Sequence, residues 1–478
     1  MNMHPSNPRP RRKTTLTLIA LIAGGLLLGG CASFSPDGGF AEVEKTAKER
    51  LGKDLRWARS DADRTAIDQR VAALLAQPLS VDDAVQLALL NNRGLQAAFD
   101  ELGITEAEVV QAGRLPNPGF TFGRSTRGDE IELERGLHFN LARLLAMPLI
   151  TQMEARRFKQ TQGAAATAVL SLAAQTRTAY FSALAAEETV RYSRQVMQAA
   201  QAGAELARRM EQVGNFNKLQ RAREQSFYAD AALNLARAEQ TQRATRERLT
   251  RQLGAWGAQT QFTLPPRLPD LPKQANDLPD VERVAMAQRL DVQGAKLAVE
   301  QTAKNLGQTR ATRFVNVLEL GAIRNSSNEA PTQRGWEIGF ELPLFDWGDA
   351  RIARSEAVYM QSLNRAAETA VNARSEVREA YANYRYAYDI ARHQRDEIVP
   401  LRQRIADENM LRYNGMLIGV FELLADARGQ IAGVNAAIDA LRDFWIAQSD
   451  LDMALIGKPS LMAPAGPSVA AEAGGAGH

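Results

Sequence analysis

The chain carries one pattern twice. Met147-Pro148-Leu149-Ile150 has a counterpart in Leu342-Pro343-Leu344-Phe345, Leu95-Gln96-Ala97-Ala98 in Val292-Gln293-Gly294-Ala295, and Gly214-Asn215-Phe216 in Gly419-Val420-Phe421. A repeat offset of roughly 200 residues fixes architecture before chemistry, because two similar halves must make one object. In each half the Pro-containing tetrapeptide is followed by a long run rich in Ala, Arg and Gln.

That run is helical. Val169, Ala173, Thr176, Tyr180 and Ala183 are spaced alternately by four and three, as are Val377, Tyr381, Tyr384, Tyr388 and Ala391, which is coiled-coil periodicity. The tyrosine stripe reads as packing. Each long helix has some 60 to 70 residues, on the order of 100 Å at 1.5 Å per residue. The first runs from about Thr151 to Val213, and Pro400 should kink the second, since an interior proline removes a hydrogen bond. The long helices end at Val213-Gly214-Asn215-Phe216 and at Tyr413-Asn414-Gly415 through Gly419, where glycine tolerates positive φ at a tight reversal. Returning helices over Lys218–Leu253 and Val420–Leu455, and opening helices over Val81–Gly113 and Pro279–Arg310, are each too short to pair with a whole long helix. An opening helix stacked on a returning one gives about 70 residues, nearly one long helix. A layered helical barrel fits that arithmetic.

Between opening and long helix the period changes to two. Ile131, Leu133, Leu137, Phe139 and Leu141 are apolar while Glu132, Glu134, His138 and Asn140 are polar, with Arg135 the one exception; Trp336, Ile338, Phe340 and Leu342 alternate with Gly335, Glu337, Gly339 and Glu341. Less regular partner strands include Phe120 and Phe122, and Phe314 to Ala322. Strands of about eight to ten residues with one apolar and one polar face fit a membrane β-barrel, although a small soluble sheet has the same alternation. In the barrel reading Glu132, Glu134, Glu337 and Glu341 line the lumen. Four strands cannot close, and an open edge in hydrocarbon leaves amides unpaired at several kcal/mol each, so the chain must oligomerise. A dimer gives eight strands around a filled interior; a trimer gives twelve with room for water, which transport favours.

The N-terminus places this object. Arg9, Arg11, Arg12 and Lys13 precede an apolar run, Leu16 to Leu28, of roughly 13 residues, short of the roughly 20 that a spanning helix needs. It reads as a secretory signal. Cys31 is the only cysteine, so no internal disulfide forms. Leu28-Gly29-Gly30-Cys31 resembles a bacterial lipoprotein cleavage box, which implies acylation (palmitate among the chains) at Cys31. Ala32, where an aspartate would resemble an inner-membrane retention signal, favours the outer membrane.

Composition excludes other classes. Of 58 basic and 55 acidic residues, the four basic residues of the signal are removed, leaving 54 against 55, or about −1. No basic excess remains for nucleic-acid phosphates. No HExxH, GxSxG, phosphate loop or CxxC occurs among the residues, and the four histidines, His4, His138, His393 and His478, are isolated. An enzyme, a cofactor site and a metal centre are not expected.

From about Leu79 to Leu455 the chain resembles the TolC-like outer-membrane efflux family. The resemblance is carried by Leu79-Ser80-Val81-Asp82-Asp83-Ala84 through Asn91-Asn92, Gly113-Arg114-Leu115-Pro116-Asn117-Pro118, Glu341-Leu342-Pro343-Leu344-Phe345-Asp346-Trp347-Gly348, and Tyr413 with Phe421-Glu422-Leu423-Leu424. It implies a mainly α chain: a long coiled-coil helical barrel plus four strands per protomer of a trimeric, twelve-stranded membrane barrel. It also implies docking to a periplasmic adaptor (membrane fusion) protein and an inner-membrane pump. The parts would be a signal (1–30), a lipidated equatorial segment (31–78), a first repeat (79–254), a Pro-rich linker (255–278), a second repeat (279–457) and a disordered tail (458–478). The resemblance places a pore gate at the pump-side tip on Glu422. The family's second acid falls on Ala425, with Asp426 beside it, while Tyr413 matches a tyrosine that holds the tip closed. The family's neighbouring basic residue is Ile418 here, so the closing network differs. A non-conducting periplasmic coiled-coil scaffold or an efflux adaptor is the alternative; neither needs four amphipathic strands at matched positions. Metal, antibiotic and solvent all remain open as cargo.

Overall fold

The computed structural model describes residues 33–312, 318–340 and 344–459, with the side chains of 311, 312, 420–422 and 424–427 outside the description. The signal, Cys31, Phe314 at the start of the expected third strand, Glu341, Leu342 and the tail from residue 460 on therefore lie outside the described residues. The helices are α1 (Phe40–Leu51), α2 (Asp61–Leu75), α3 (Val81–Asn91), α4 (Arg93–Ala112), α5 (Leu141–Gln212), α6 (Lys218–Leu253), α7 (Val281–Gln288), α8 (Leu290–Thr312), α9 (Asp349–His393), α10 (Val399–Asn414) and α11 (Val420–Ile456). The strands are β1 (Gly119–Arg127), β2 (Glu130–Asn140), β3 (Leu318–Ser327) and β4 (Gln333–Phe340). Contacts divide the chain into two compact units. One comprises Met1–Glu42, Phe99–Gly163 and Leu297–Asn364; the other comprises Val43–Ala98, Ala164–Lys296 and Arg365–His478.

The first unit holds the sheet. Its strands pair antiparallel in the order β1-β2-β3-β4, so the two repeats meet at the β2–β3 seam. A left-handed Gly128 at φ 63° turns β1 into β2. Leu141, expected to continue β2, instead opens α5: the Asn140 side-chain oxygen accepts from the Arg143 amide at 2.7 Å, satisfying one of the free donors of a helix start. In the same unit Arg157 of α5 pairs with Glu108 of α4 at 2.8 Å, and Thr302 of α8 meets Ser362 of α9 at 2.6 Å.

Among the described residues the second unit holds one core built mainly from the first repeat and another built mainly from the second. In the first, Leu79, Leu87, Tyr180, Phe181, Leu249 and Phe262 are buried together; in the second, Leu271, Val377, Tyr384, Tyr388, Phe444 and Leu451 are. Phe181 stacks on Trp445 at 5.5 Å, and Trp445 meets Phe444 edge-on at 5.1 Å, joining the two. The tyrosine stripe packs as its spacing predicts, and its hydroxyls do more. Tyr180 donates to the Leu79 carbonyl at 2.9 Å. Its repeat mate Tyr388 donates to the Lys273 carbonyl at 2.8 Å, so each long helix ties down the segment that leads into its own half.

Each opening helix, expected as one piece, is broken once. Asn92 and Arg289 occupy the same place in the two repeats, and both are extended, at φ −70°, ψ 117° and φ −64°, ψ 125°. Both reach the end of the returning helix of their own half. Asn91 donates to the Leu253 and Gly254 carbonyls, and Asn92 to that of Gln252. Arg289 reaches the Ala454 carbonyl at 3.5 Å. The break in each opening helix is thus joined to the end of its own returning helix by polar side chains placed there. Gly254 closes α6 at φ 62°, and a Cβ there would stand 2.8 Å from the Asn91 carbonyl oxygen, so both conformation and space require glycine.

Pro400, expected to kink the second long helix, lies within a run that stays helical on both sides of it. A π turn, Gln394–Ile398, precedes it, and Pro400 falls in the first turn of α10. Widening one turn absorbs the hydrogen bond that proline cannot donate. The reversals differ from expectation in one respect. Gly214 has the predicted positive φ, 81°, but in the second reversal Gly415 is at φ −79° and Met416 takes the left-handed position at φ 57°. Met416 closes the helix by donating to the Tyr413 carbonyl at 3.0 Å, a conformation that costs a non-glycine residue about 1 kcal/mol or more. Before Leu79, α1 and α2 are helices that the sequence did not announce. Ser60 and Asp63 cap α2 reciprocally, and Gln86 and Gln96 hold the extended segment before it by hydrogen bonds to Asp54, Arg56 and Ala58.

Among the described residues no helix is long and apolar enough to cross a membrane.

Candidate functional site: a two-faced sheet and a helical tip

Cross-strand partners point to the same side of a sheet and successive residues to opposite sides. The register therefore sorts the sheet into two faces. Glu134 pairs with Gly123 and Asn325, Glu132 with Ser125 and Ser327, His138 with Gly119 and Gly321, and Gly321 with Glu337. Glu132, Glu134 and Glu337 thus share one face, brought together from both repeats. Leu137 pairs with Phe120 and Ala322, Phe139 with Leu320, and Leu320 with Ile338, which makes the other face apolar. That apolar face is open: Phe120 is 67% exposed, Trp336 73% and Phe340 64%.

The polar face has an internal network that the alternation alone did not reveal. His138 sits with Nδ1 3.0 Å from a Glu337 carboxylate oxygen and Nε2 2.8 Å from the Thr121 hydroxyl, so one imidazole joins β1, β2 and β4. Two glycines make the room. A Cβ at Gly321 would lie 2.6 Å from the Glu337 side chain, and one at Gly136 would lie 2.4 Å from the Thr121 hydroxyl. The signal was present in the sequence, since His138 shares the parity of Glu132 and Glu134. Its partner Glu337, however, lies in the other repeat.

The second unit ends in the two reversals. Asn217 and Gln220 form a reciprocal cap at the start of α6. Tyr413, next to last in α10, is 38% exposed, while Met416 and Leu417 beyond the helix are 92% and 78% exposed. Glu422 and Asp426 fall in the first two turns of α11, and their side chains lie outside the described residues. Arg428, farther along α11, lies over the Phe227 ring at 4.4 Å and 3.5 Å from the buried Glu224 of α6. In the same unit Asp450 has its carboxyl pushed up to about 6 by burial. It lines an open groove of about 590 Å³ with Thr189, Thr245, Asn383 and Arg442. Among the described residues no group of three or more His, Cys, Asp or Glu is placed to hold a metal ion.

No protein-family model matches the chain. The cobalt-zinc-cadmium resistance protein CzcC of Cupriavidus metallidurans is 26% identical over 283 residues, 57% of this chain and 64% of that protein, so the match spans less than two thirds of the relative's length. Among solved structures, the Campylobacter jejuni CmeC outer membrane channel aligns over 89% of this chain and 92% of its own, at 17% identity and a TM-score of 0.65. CusC, solved in a study of folding and transmembrane channel formation, aligns over 79% of this chain and 92% of its own, at 18% identity and a TM-score of 0.65. The chain, mainly helical with one four-stranded antiparallel sheet, accordingly has the fold of these solved outer-membrane channel structures.

Proposed function

We propose that the chain is the outer-membrane channel of a tripartite efflux system. As a homotrimer it would conduct substrates delivered by an inner-membrane pump and a periplasmic adaptor. The observation that carries this reading is the sheet: one face is apolar and exposed, the other polar, and β1 and β4 are edges that pair with no other described strand. Such a sheet is stable in lipid only when its edges are closed by further strands, and three copies supply about twelve, enough to surround water. Glu132, Glu134, Glu337 and Glu341 then line the lumen. Conduction rather than catalysis is the chemistry, so the protein is not an enzyme. Acylation at Cys31, after removal of residues 1–30, would anchor the same barrel to the membrane it spans. The likeness to a cobalt-zinc-cadmium resistance protein favours metal over antibiotic or solvent as cargo.

The gate is assigned to the pump-side tip. Three Glu422 carboxylates around a narrow opening concentrate negative potential and favour cations, with Asp426 and Tyr413 as neighbours in the closing network. Planar-bilayer recordings test channel and gate together. The native protein should insert as a trimer and conduct with cation preference, and E422Q should conduct with that preference reduced. A protein that sediments as a single subunit in detergent and leaves bilayers silent would sink the channel; conduction with unchanged selectivity in E422Q would sink only the gate.

A further inference from the structure

Arg135, the one polar interruption in the apolar alternation of β2, is not alone. In the sheet register Arg135 stands opposite Arg324, and Arg324 stands opposite Arg334, a continuous arginine row across three strands. Phe122 is the β1 partner of Arg135, which puts Arg124, two residues on, at the diagonal position. Like charges directly opposite on a sheet repel, so the row calls for an anion.

The sheet does not provide one. Arg127, on the polar face, is opposite Glu130, whereas Glu132, Glu134, Glu319 and Glu337 all have the polar-face parity and cannot reach Arg124, Arg135, Arg324 or Arg334. Among the described residues none of these four arginines has a carboxylate partner. Arg124, Arg324 and Arg334 are exposed and Arg135 is half-buried.

The residues around the row say what the anion is attached to. From the row toward the strand ends that lead to the helices, every position of this face is apolar, including Phe120, Leu137, Phe139, Trp336, Ile338 and Phe340. From the row toward the hairpins the face is mixed, with Arg124, Thr126 and Ser326 beside Leu133 and Ile131. An occupant that offers hydrocarbon to one side and an anion at its end fits this division; a free anion would leave the apolar side unfilled. A guanidinium fork matches a phosphate bidentately and is weakly enough hydrated to sit at such a boundary, and long side chains carry it toward the polar level.

We infer that the arginine row is a docking site for membrane lipid, with the phosphate of the headgroup on Arg135, Arg324 and Arg334 and the acyl chains on the apolar residues between the row and the helices. The inference rests on the proposal that the sheet faces lipid in the outer membrane. It assigns the row to the hairpin side of the apolar band, the side away from the long helices, and it gives the like-charged row its neutralising partner.

The test is a lipid titration of the full-length protein in detergent, read by native mass spectrometry. The probes are dioleoyl phosphatidic acid, dioleoylglycerol with the same chains and no phosphate, and inorganic phosphate. The native protein should retain phosphatidic acid with an affinity on the order of tenfold above that of R135Q/R324Q/R334Q, as expected for losing charge-assisted bidentate bonds. The single variant R324Q, at the centre of the row, should fall between them, and diacylglycerol should bind both proteins weakly and alike. Equal affinity of native protein and variants for phosphatidic acid overturns the inference. So does a native protein that does not distinguish phosphatidic acid from diacylglycerol, or one from which inorganic phosphate displaces the lipid at equal concentration. Bilayer conductance of the same preparation keeps the two claims apart: pores without lipid discrimination overturn the lipid site alone, whereas absence of pores overturns the channel.

Discussion

Replacing Arg289 with Met should destabilise the helical unit by about 3 kcal/mol or more, the usual result of removing one partner from a buried ion pair. Arg289 is 1% exposed. Its guanidinium is 2.6 Å from Glu376, 2.7 Å from one Asp291 oxygen and 3.0 Å from the other. Burial alone would pull its pKa down, but the bonds to Asp291 and Glu376 more than offset this and hold it above the ordinary value. Without the cation, two carboxylates from α8 and α9 are left facing one another at the break in the opening helix. Their own exposure, 23% and 18%, gives them some water and sets the expectation at the lower end of the range. Chemical denaturation followed by far-ultraviolet circular dichroism measures it. The triple change R289M/D291L/E376L should recover most of the loss, because a buried ion pair is worth little more than well-packed apolar groups. A loss below about 1 kcal/mol in R289M would mean that the cluster acts like an exposed pair, and the role given to the break would be wrong.

Placing a lysine at Ile338 should cost about 2 to 4 kcal/mol per protomer, the penalty for a cation on the lipid face of a membrane strand near the bilayer midplane. Ile338 lies in β4 opposite Leu320, 50% exposed, between Trp336 and Phe340 on the apolar face. Glu134→Lys puts the same charge on the polar face and should cost little. Folding of both variants into lipid vesicles, titrated with urea and compared with the native protein, separates the faces. Equal losses for I338K and E134K would contradict the assignment of lipid to one face and water to the other.

Much of this architecture was legible because it is local and repeated. The alternation from Ile131 to Leu141 finds β2 and overruns its end by one residue, and the heptad spacing finds Tyr180 and Tyr388 buried where it predicts. What was not legible depends on pairing across long separations. Nothing near Arg135 announces Arg324 or Arg334, since the register that aligns them joins β2 to a strand from the other repeat; read alone, Arg135 is only an irregularity. The breaks at Asn92 and Arg289 were missed for a related reason. The carbonyls that reward an extended residue there belong to the ends of α6 and α11, more than a hundred residues downstream. The α2 helix was missed because its two buried residues, Ile67 and Val71, are too few to mark a stripe. Met416 shows that a reversal does not always place its positive φ on the available glycine. At the tip, Glu422 and Asp426 rest on resemblance alone, and the E422Q recording decides their role.

A sheet that serves as a membrane wall holds Ile338 against lipid and Glu337, its neighbour, against water. Nitroxide labels at I338C and E337C in reconstituted vesicles, each referred to the parent chain with Cys31 alone, measure this by relaxation with oxygen and with a water-soluble nickel complex. The label at position 338 should be relaxed mainly by oxygen and the label at 337 mainly by nickel; the same nickel accessibility at both positions would mean that the sheet is not a membrane wall.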